Sequence, residues 1–195
     1  MKKFKLDRIN LAIFNSLIEN NKVNFSKLGK KLGLSHVAVN RKFDRLVKKK
    51  IIKLELLINF SKLDFKLGLI LLEVNNEALE HLLKVYQECP RVVDYFELIG
   101  QYNLGLIFFG ENDKTFETIL KSCMLYSLKG IHKSNILIYK IPHDDLFLPF
   151  NFSSLNHESE TTPCGISCSN CGAFKQDKCV GCPSSKHYTG VLKIV

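Results

Sequence analysis

The 195-residue sequence has no tryptophan, two methionines and five prolines. It also has no apolar run near the ~20 residues that a membrane-spanning helix needs, so no membrane partner is expected. The opening MKKFKLDRINLAIF carries early lysines, but Asp7, Arg8, Asn10 and Asn15 break its apolar stretch, and it does not read as a secretory signal. A cytoplasmic location with reduced thiols is therefore expected. There is no Ser/His/Asp set, no pair of catalytic carboxylates and no glycine-rich phosphate loop, so no catalytic role is expected. Acidic residues are scarce in the first third. Residues 1–66 hold 17 Lys/Arg against 5 Asp/Glu, a balance of +12, whereas residues 67–150 balance at −4 and residues 151–195 at +1. All the excess positive charge lies in one segment, which predicts a polyanion-binding module joined to something else. That module lacks exposed aromatic stacking residues, which argues against single-stranded RNA.

Helical spacing organises the basic segment. Asp7 is placed to cap a helix carrying Ile9, Ile13 and Leu17 and ending near Asn20 and Asn21. Asn24 starts a second helix with Leu28 and Leu32 on its buried face, stopping at Gly33. Its internal Gly29 costs about 1 kcal/mol against alanine unless another segment packs close there. Ser35 is a good cap for a third helix through about Lys49, with Val39, Phe43, Leu46 and Val47 as its buried stripe. Two helices across a turn with a third in front make the helix-turn-helix pattern. IIKLELLINF follows and predicts a strand or wing.

With that stripe buried, Val37, Ala38, Arg41, Arg45 and Lys48 point outward, Asn40 lies at the boundary and Lys42 flanks the other side. Long cations suit phosphates and guanine edges, and small apolar groups suit thymine methyls. Ser35, Val37, Ala38, Asn40, Arg41, Lys42, Arg45 and Lys48 are thus the predicted contacts to double-stranded DNA. His36 is placed near phosphate or as a partly buried helix residue.

The second segment alternates strands and helices. LGLILLEV is a strand, Asn75 or Asn76 caps a helix to Cys89, and Pro90 ends it. VVDYFELIG and NLGLIFFG flank a hairpin turn at Gly100-Gln101-Tyr102-Asn103. Asp113 caps a helix bearing Phe116, Ile119, Leu120 and Cys123, and ILIYKI is a fourth strand. The order βαββαβ is the ferredoxin-like split unit. Cys89 and Cys123 read as small core residues.

The stretch PHDDLFLPFNFSSLNHESETTP reads as a linker. The tail that follows holds Cys164, Cys168, Cys171, Cys179 and Cys182, spaced C-x3-C-x2-C-x7-C-x2-C. Two C-x2-C pairs present two sulfurs each from tight turns, as a tetrahedral thiolate site requires. Cys168, Cys171, Cys179 and Cys182 are the predicted ligands, with Cys164 as an alternative. Zinc is the expected metal and an iron–sulfur cluster the alternative. The C-x3-C-x2-C spacing also occurs in radical enzymes using S-adenosylmethionine, but their barrel domain has no room in this chain. His187 is at best a substitute ligand.

Residues 6–143 resemble the Lrp/AsnC family of transcriptional regulators. The resemblance runs through LDRINLAIFNSLIEN, FSKLGKKLGLSHVAVNRKFDRLVKKKII and the βαββαβ segment with its IGQYN hairpin, and LGKKLGLSHVAVNRKFDRL is its most specific part. The tail is similar to small cysteine-cluster extensions of some archaeal regulators. The family resemblance implies a winged helix-turn-helix on a ligand-sensing domain that dimerises through its sheets. It also implies an effector pocket near Gly100, Tyr102 and Asn103. The sequence departs from the pattern at Asn10, where aspartate is usual, at Lys50, where a glycine normally ends the third helix, and at Asn103, where the hairpin usually carries aspartate. The expected organisation is α+β: a helix-turn-helix domain at 1–62, a ferredoxin-like domain at 63–142, a linker at 143–160 and a metal-binding tail at 161–195. The expected function is a DNA-binding transcriptional regulator, a homodimer or larger, controlled by a small-molecule effector or by the metal or redox state of the tail. The alternative is a redox or metal-cluster enzyme or sensor built on the ferredoxin-like domain.

Overall fold

A computed structural model describes residues 4–122, 129–140, 145–151, 154–155 and 158–193. They divide into two units, residues 1–55 and 56–195, so the first boundary falls before the expected 62/63.

The first unit is three helices, and each starts where a short polar side chain offers an acceptor. α1 (Arg8–Asn20) begins at Asp7, which accepts the Asn10 N–H, and ends at Asn21 in the left-handed conformation. α2 (Phe25–Leu32) begins at Asn24 and ends at Gly33, with φ of 69°. α3 (His36–Lys48) begins at Ser35, whose hydroxyl accepts the Ala38 N–H. Lys50 is left-handed with φ of 55°, taking the conformation that a glycine would adopt more readily. Ile13, Leu28, Val39 and Leu46 form the core, with Phe25 and Phe43 edge to face at 5.5 Å beside it. Val47 departs from its expected place in the buried stripe. It is 42% exposed, because Leu46 and Phe43 already fill the face opposite α1 and α2.

Gly29 is explained by the turn into α3. A Cβ there would lie 2.7 Å from the Leu34 carbonyl oxygen, and the Leu34 N–H donates to the Gly29 carbonyl at 2.9 Å. Gly29→Ala is therefore expected to destabilise the unit by about 1–3 kcal/mol, despite alanine's better helix propensity. Denaturant unfolding followed by circular dichroism measures it, and a gain in stability would refute the close-approach argument.

Asp7 has two roles, since its other carboxylate oxygen accepts from Lys42 Nζ across the unit. The Lys42 contact, then the Asn10 N–H, hold its carboxyl below the usual range. A depressed carboxylate stabilises the fold above its ordinary pKa of 3.8 and loses that contribution as pH falls below it. Asp7→Ala is expected to cost about 1 kcal/mol at neutral pH, the usual worth of a helix cap. The difference from wild type should shrink progressively in unfolding measurements as pH is lowered below 3.8.

The second unit is built on a four-stranded antiparallel sheet. β1 (Leu57–Asn59) precedes it, followed by β2 (Lys66–Val74), α4 (Asn76–Glu88), β3 (Val92–Glu97), β4 (Leu104–Gly110), α5 (Asp113–Ser122) and β5 (Ile131–Tyr139). The strand order β3-β4-β2-β5 is the ferredoxin-like arrangement. In register, Ile70 pairs with Leu106 on one side and Ile136 on the other. Ile70, Leu72, Leu82, Leu104, Leu106 and Phe108 anchor the core against the helices. The cap of α5 is Asn112, which accepts the Thr115 N–H at 2.8 Å, one residue before the expected Asp113. Cys123 lies outside the described residues.

The expected strand or wing forms in part, at β1, and the expected linker is corrected. β1 pairs with β6 (Phe147–Pro149), so the end of IIKLELLINF binds a strand from the segment read as a linker. Phe150 is buried there with Phe60, Phe65 and Phe109 in a second core. Prolines and polar residues suggested an unstructured connection, but Phe150, with Leu146, Leu148 and Leu155 beside it, has a shared apolar site.

The tail is not a separate body either. After β6 it makes a 3-10 turn at Cys168–Asn170 and the short α6 (Gly172–Lys175). It belongs to the second unit, with Tyr188 and Ser185 almost wholly buried. Among the described residues, no helix is long and apolar enough to cross a membrane.

Candidate functional site

α3 presents one cationic face. Val37, Arg41, Arg45 and Lys48 fall within an arc of about 80° at 3.6 residues per turn, and all four are exposed. Ala38 and Asn40 are partly buried at the edge of that face. The Asn40 amide donates to Asp44 Oδ2 at 3.3 Å. Two predicted contacts are committed elsewhere: the Ser35 hydroxyl accepts the Ala38 N–H as a cap, and Lys42 is paired with Asp7. The lysines of α2, Lys27, Lys30 and Lys31, are exposed as well. Such a face offers cations at phosphate reach, Arg41 and Arg45 as bidentate donors, and the Val37 methyls as an apolar contact.

The hairpin residues expected near an effector pocket make local contacts. Gly100 has a φ of 148°, and the Tyr102 ring has the Lys133 ammonium 5.6 Å from its centroid. The Asn103 side chain accepts the Val74 N–H at 2.9 Å and donates to the Val74 carbonyl at 2.7 Å. That amide replaces a missing neighbour at the end of β2, so both its polar atoms are occupied by backbone.

The tail cysteines predicted as ligands meet residues of the sheet unit that the sequence did not single out. Cys89, Cys164, Cys168, Cys171, Cys179 and Cys182 all line one cavity of about 70 Å³ between the tail and the sheet. They are thiols rather than disulfides. Apolar side chains of the sheet and α5, among them Ile70, Leu106 and Ile119, line its inner wall. Burial pushes the Cys89 thiol up to about 11 and the Cys182 thiol up to about 12, and raises Cys179 in the same direction. The predicted ligands Cys168, Cys171, Cys179 and Cys182 share this cavity, and Cys164 joins them. Among the described residues, no group of three or more His, Cys, Asp or Glu is placed to hold a metal ion. His187 faces away from this role, with its Nε2 3.2 Å from Glu160.

Hydrogen bonds distinguish the sulfurs. Cys168 Sγ accepts the Cys182 N–H at 3.4 Å and lies 3.7 Å from the Ser185 hydroxyl, which also has the Cys182 carbonyl at 3.0 Å. Cys164 Sγ lies 3.0 Å from the Thr162 hydroxyl, which already donates to the Ile166 carbonyl. A hydroxyl has one proton and a thiol can give or accept one, so either atom can be the donor in that pair.

Under the cavity sits a buried ion pair. Arg91 Nη2 reaches both Glu111 oxygens at 2.8 Å, its Nε reaches Oε2 at 3.1 Å, and Nη2 also donates to the Gly181 carbonyl at 2.6 Å. Burial alone would lower the guanidinium pKa, but the Glu111 carboxylate, helped by Cys182, holds it above the ordinary value. Thr115 and Thr118 add bonds from α5 to Val180 and Lys178. Arg91, Glu111 and Cys89 were missed in the sequence as site residues. The one available signal was their type, since charges in an acidic segment normally read as surface.

Comparison with known proteins fits these geometries. Residues 6–53 match the winged helix-turn-helix DNA-binding family. Among curated proteins no sequence matches. Several solved structures share the fold. Escherichia coli AsnC is 16% identical, with 72% of this chain covering 96% of that one at a TM-score of 0.62. Bacillus subtilis LrpC is 20% identical, with 72% covering 99% at 0.58. The transcriptional regulator NMB0573 from Neisseria meningitidis, solved as a complex with L-Met, is 19% identical, with 71% covering 92% at 0.61. Residues 6–53 therefore match the winged helix-turn-helix DNA-binding family, and the chain has the fold of the Lrp/AsnC transcriptional regulators.

Proposed function

We propose that the protein is a sequence-specific, double-stranded-DNA-binding transcriptional regulator. The observation that carries this reading is the exposed face of α3, where Arg41, Arg45 and Lys48 surround Val37 in a domain of the matched DNA-binding family. α3 enters the major groove, its arginines reading guanine edges and phosphates and Val37 touching a thymine methyl. The second unit pairs two copies. Leu137, Ile138 and Tyr139 on the edge strand β5 are 48%, 71% and 53% exposed, more apolar edge than a solitary sheet normally leaves in water. The tail thiols hold a metal centre whose state regulates the assembled protein.

Selection of bound duplexes from a random pool by the full chain, followed by a salt titration on the winner, tests the DNA reading. Three cations on phosphates give a slope of log affinity against log salt of about −3 or steeper. No enriched sequence, or a flat salt dependence, would overturn it. Light scattering on the same sample is expected to give at least a dimer at micromolar concentration.

A further inference from the structure

The cavity decides what kind of metal centre the tail is shaped for. We propose that it seats an iron–sulfur cluster, ligated by Cys168, Cys171, Cys179 and Cys182 and set against the sheet unit above Arg91. This rests on the reading of the tail as a metal site, and deepens it.

The first observation is size. A zinc ion bound to four thiolates at about 2.3 Å draws its sulfurs to within about 4 Å of each other and leaves no space among them. The cavity that Cys168, Cys171, Cys179 and Cys182 help to line measures about 70 Å³, several times the ~10–15 Å³ that one water requires. A guest that occupies volume between four thiolates is a cluster, not a single ion.

The second observation is polarity. Water in a cavity needs about two to four polar partners, whereas the inner wall is formed by Ile70, Leu106 and Ile119. Arg91, the one charged group at the floor, already serves Glu111 and Gly181. Apolar walls and sulfur donors suit an inorganic sulfide core, and burial protects such a core from solvent.

Third, the sulfurs are not equivalent. Cys168 Sγ accepts the Cys182 backbone N–H, the kind of donor that supports a ligating thiolate. Cys164 Sγ lies 3.0 Å from the Thr162 hydroxyl, and it precedes the two C-x2-C pairs that supply the four ligands. Cys89 comes from the end of α4 and closes the cavity from the sheet side. Four tail thiolates on such a core leave a net negative charge, and the Arg91 guanidinium lies beneath the Cys179–Cys182 turn through Gly181. The cluster therefore fastens the tail to the strand pair β3–β4, and its loss loosens that contact.

The test is anaerobic reconstitution of the full chain with ferrous iron and sulfide, without DNA. Iron, acid-labile sulfide and visible absorption are measured, and protected thiols are mapped by alkylation and mass spectrometry. The expected result is a brown protein with about four iron and four sulfide per chain, with Cys168, Cys171, Cys179 and Cys182 protected. Cys179→Ser should lose the colour, whereas Cys89→Ala and Cys164→Ser should keep it. The alkylation map on unaltered protein stands even if a variant fails to fold. A colourless protein holding one zinc per chain overturns the cluster and keeps the tail as a metal site. Six equally reactive thiols after exposure to iron with sulfide or to zinc overturn both. Neither result touches DNA binding, which is read separately.

Discussion

Arg91→Met is expected to destabilise the sheet-and-tail unit by about 3–5 kcal/mol, the usual cost of leaving one member of a buried ion pair alone. Glu111 is 3% exposed at its side chain and Arg91 7%, so water cannot replace the lost guanidinium. The carboxylate must then ionise in an apolar site or take up a proton, and either costs stability at neutral pH. Gly181 also loses the donor of its 2.6 Å hydrogen bond, and with it the tail loses a buried attachment. Two measurements check this: urea unfolding followed by circular dichroism, and the alkylation rates of Cys89 and Cys182, which should rise as the tail detaches. The double variant Arg91→Met, Glu111→Leu should recover much of the loss, because it buries no charge. A single variant as stable as wild type would mean that the pair is solvated in solution and does not hold the tail.

The contrast between the two units shows what a sequence makes legible. Helix boundaries in the first unit are written locally, in the acceptors Asp7, Asn24 and Ser35 and in the left-handed endings at Asn21 and Gly33. Each needs only its own neighbours within a turn, so reading along the chain recovers them. Gly29 is one step less local, because its cost is explained only by the carbonyl of Leu34 across the turn. The sheet order follows from strand patterning and the two helices, again with short connections. The pairing of β1 with β6 and the cluster of Phe60, Phe65, Phe109 and Phe150 are different. Their partners are far apart in sequence, and phenylalanines among prolines carry no period to announce a shared core. The thiol cavity was half legible. The C-x2-C pairs were readable from spacing, but Cys89 and the Arg91–Glu111 floor come from a helix end and two strands that only the fold brings beneath the tail.

The double variant Arg41→Ala, Arg45→Ala is expected to lower affinity for the selected duplex by about 100-fold or more, each bidentate contact being worth about 1–3 kcal/mol. Both side chains are exposed and lie outside the core of Ile13, Leu28, Val39 and Leu46. Alanine is also the best helix former, so the helix itself should survive unchanged. Arg41→Ala alone should relax preference at one base pair, the signature of a base contact. Lys48→Ala should weaken all duplexes alike and reduce the salt slope by about 1, as a phosphate contact would. Lys42→Ala supplies the internal contrast. Its ammonium is held by Asp7, so the variant should lose some stability while keeping affinity and salt slope close to wild type. Binding isotherms by fluorescence anisotropy at several salt concentrations, with circular dichroism to verify folding, separate these cases. If the double variant binds as tightly as wild type while Lys42→Ala does not, the DNA lies on the other side of α3 and the assignment of its outward face is wrong.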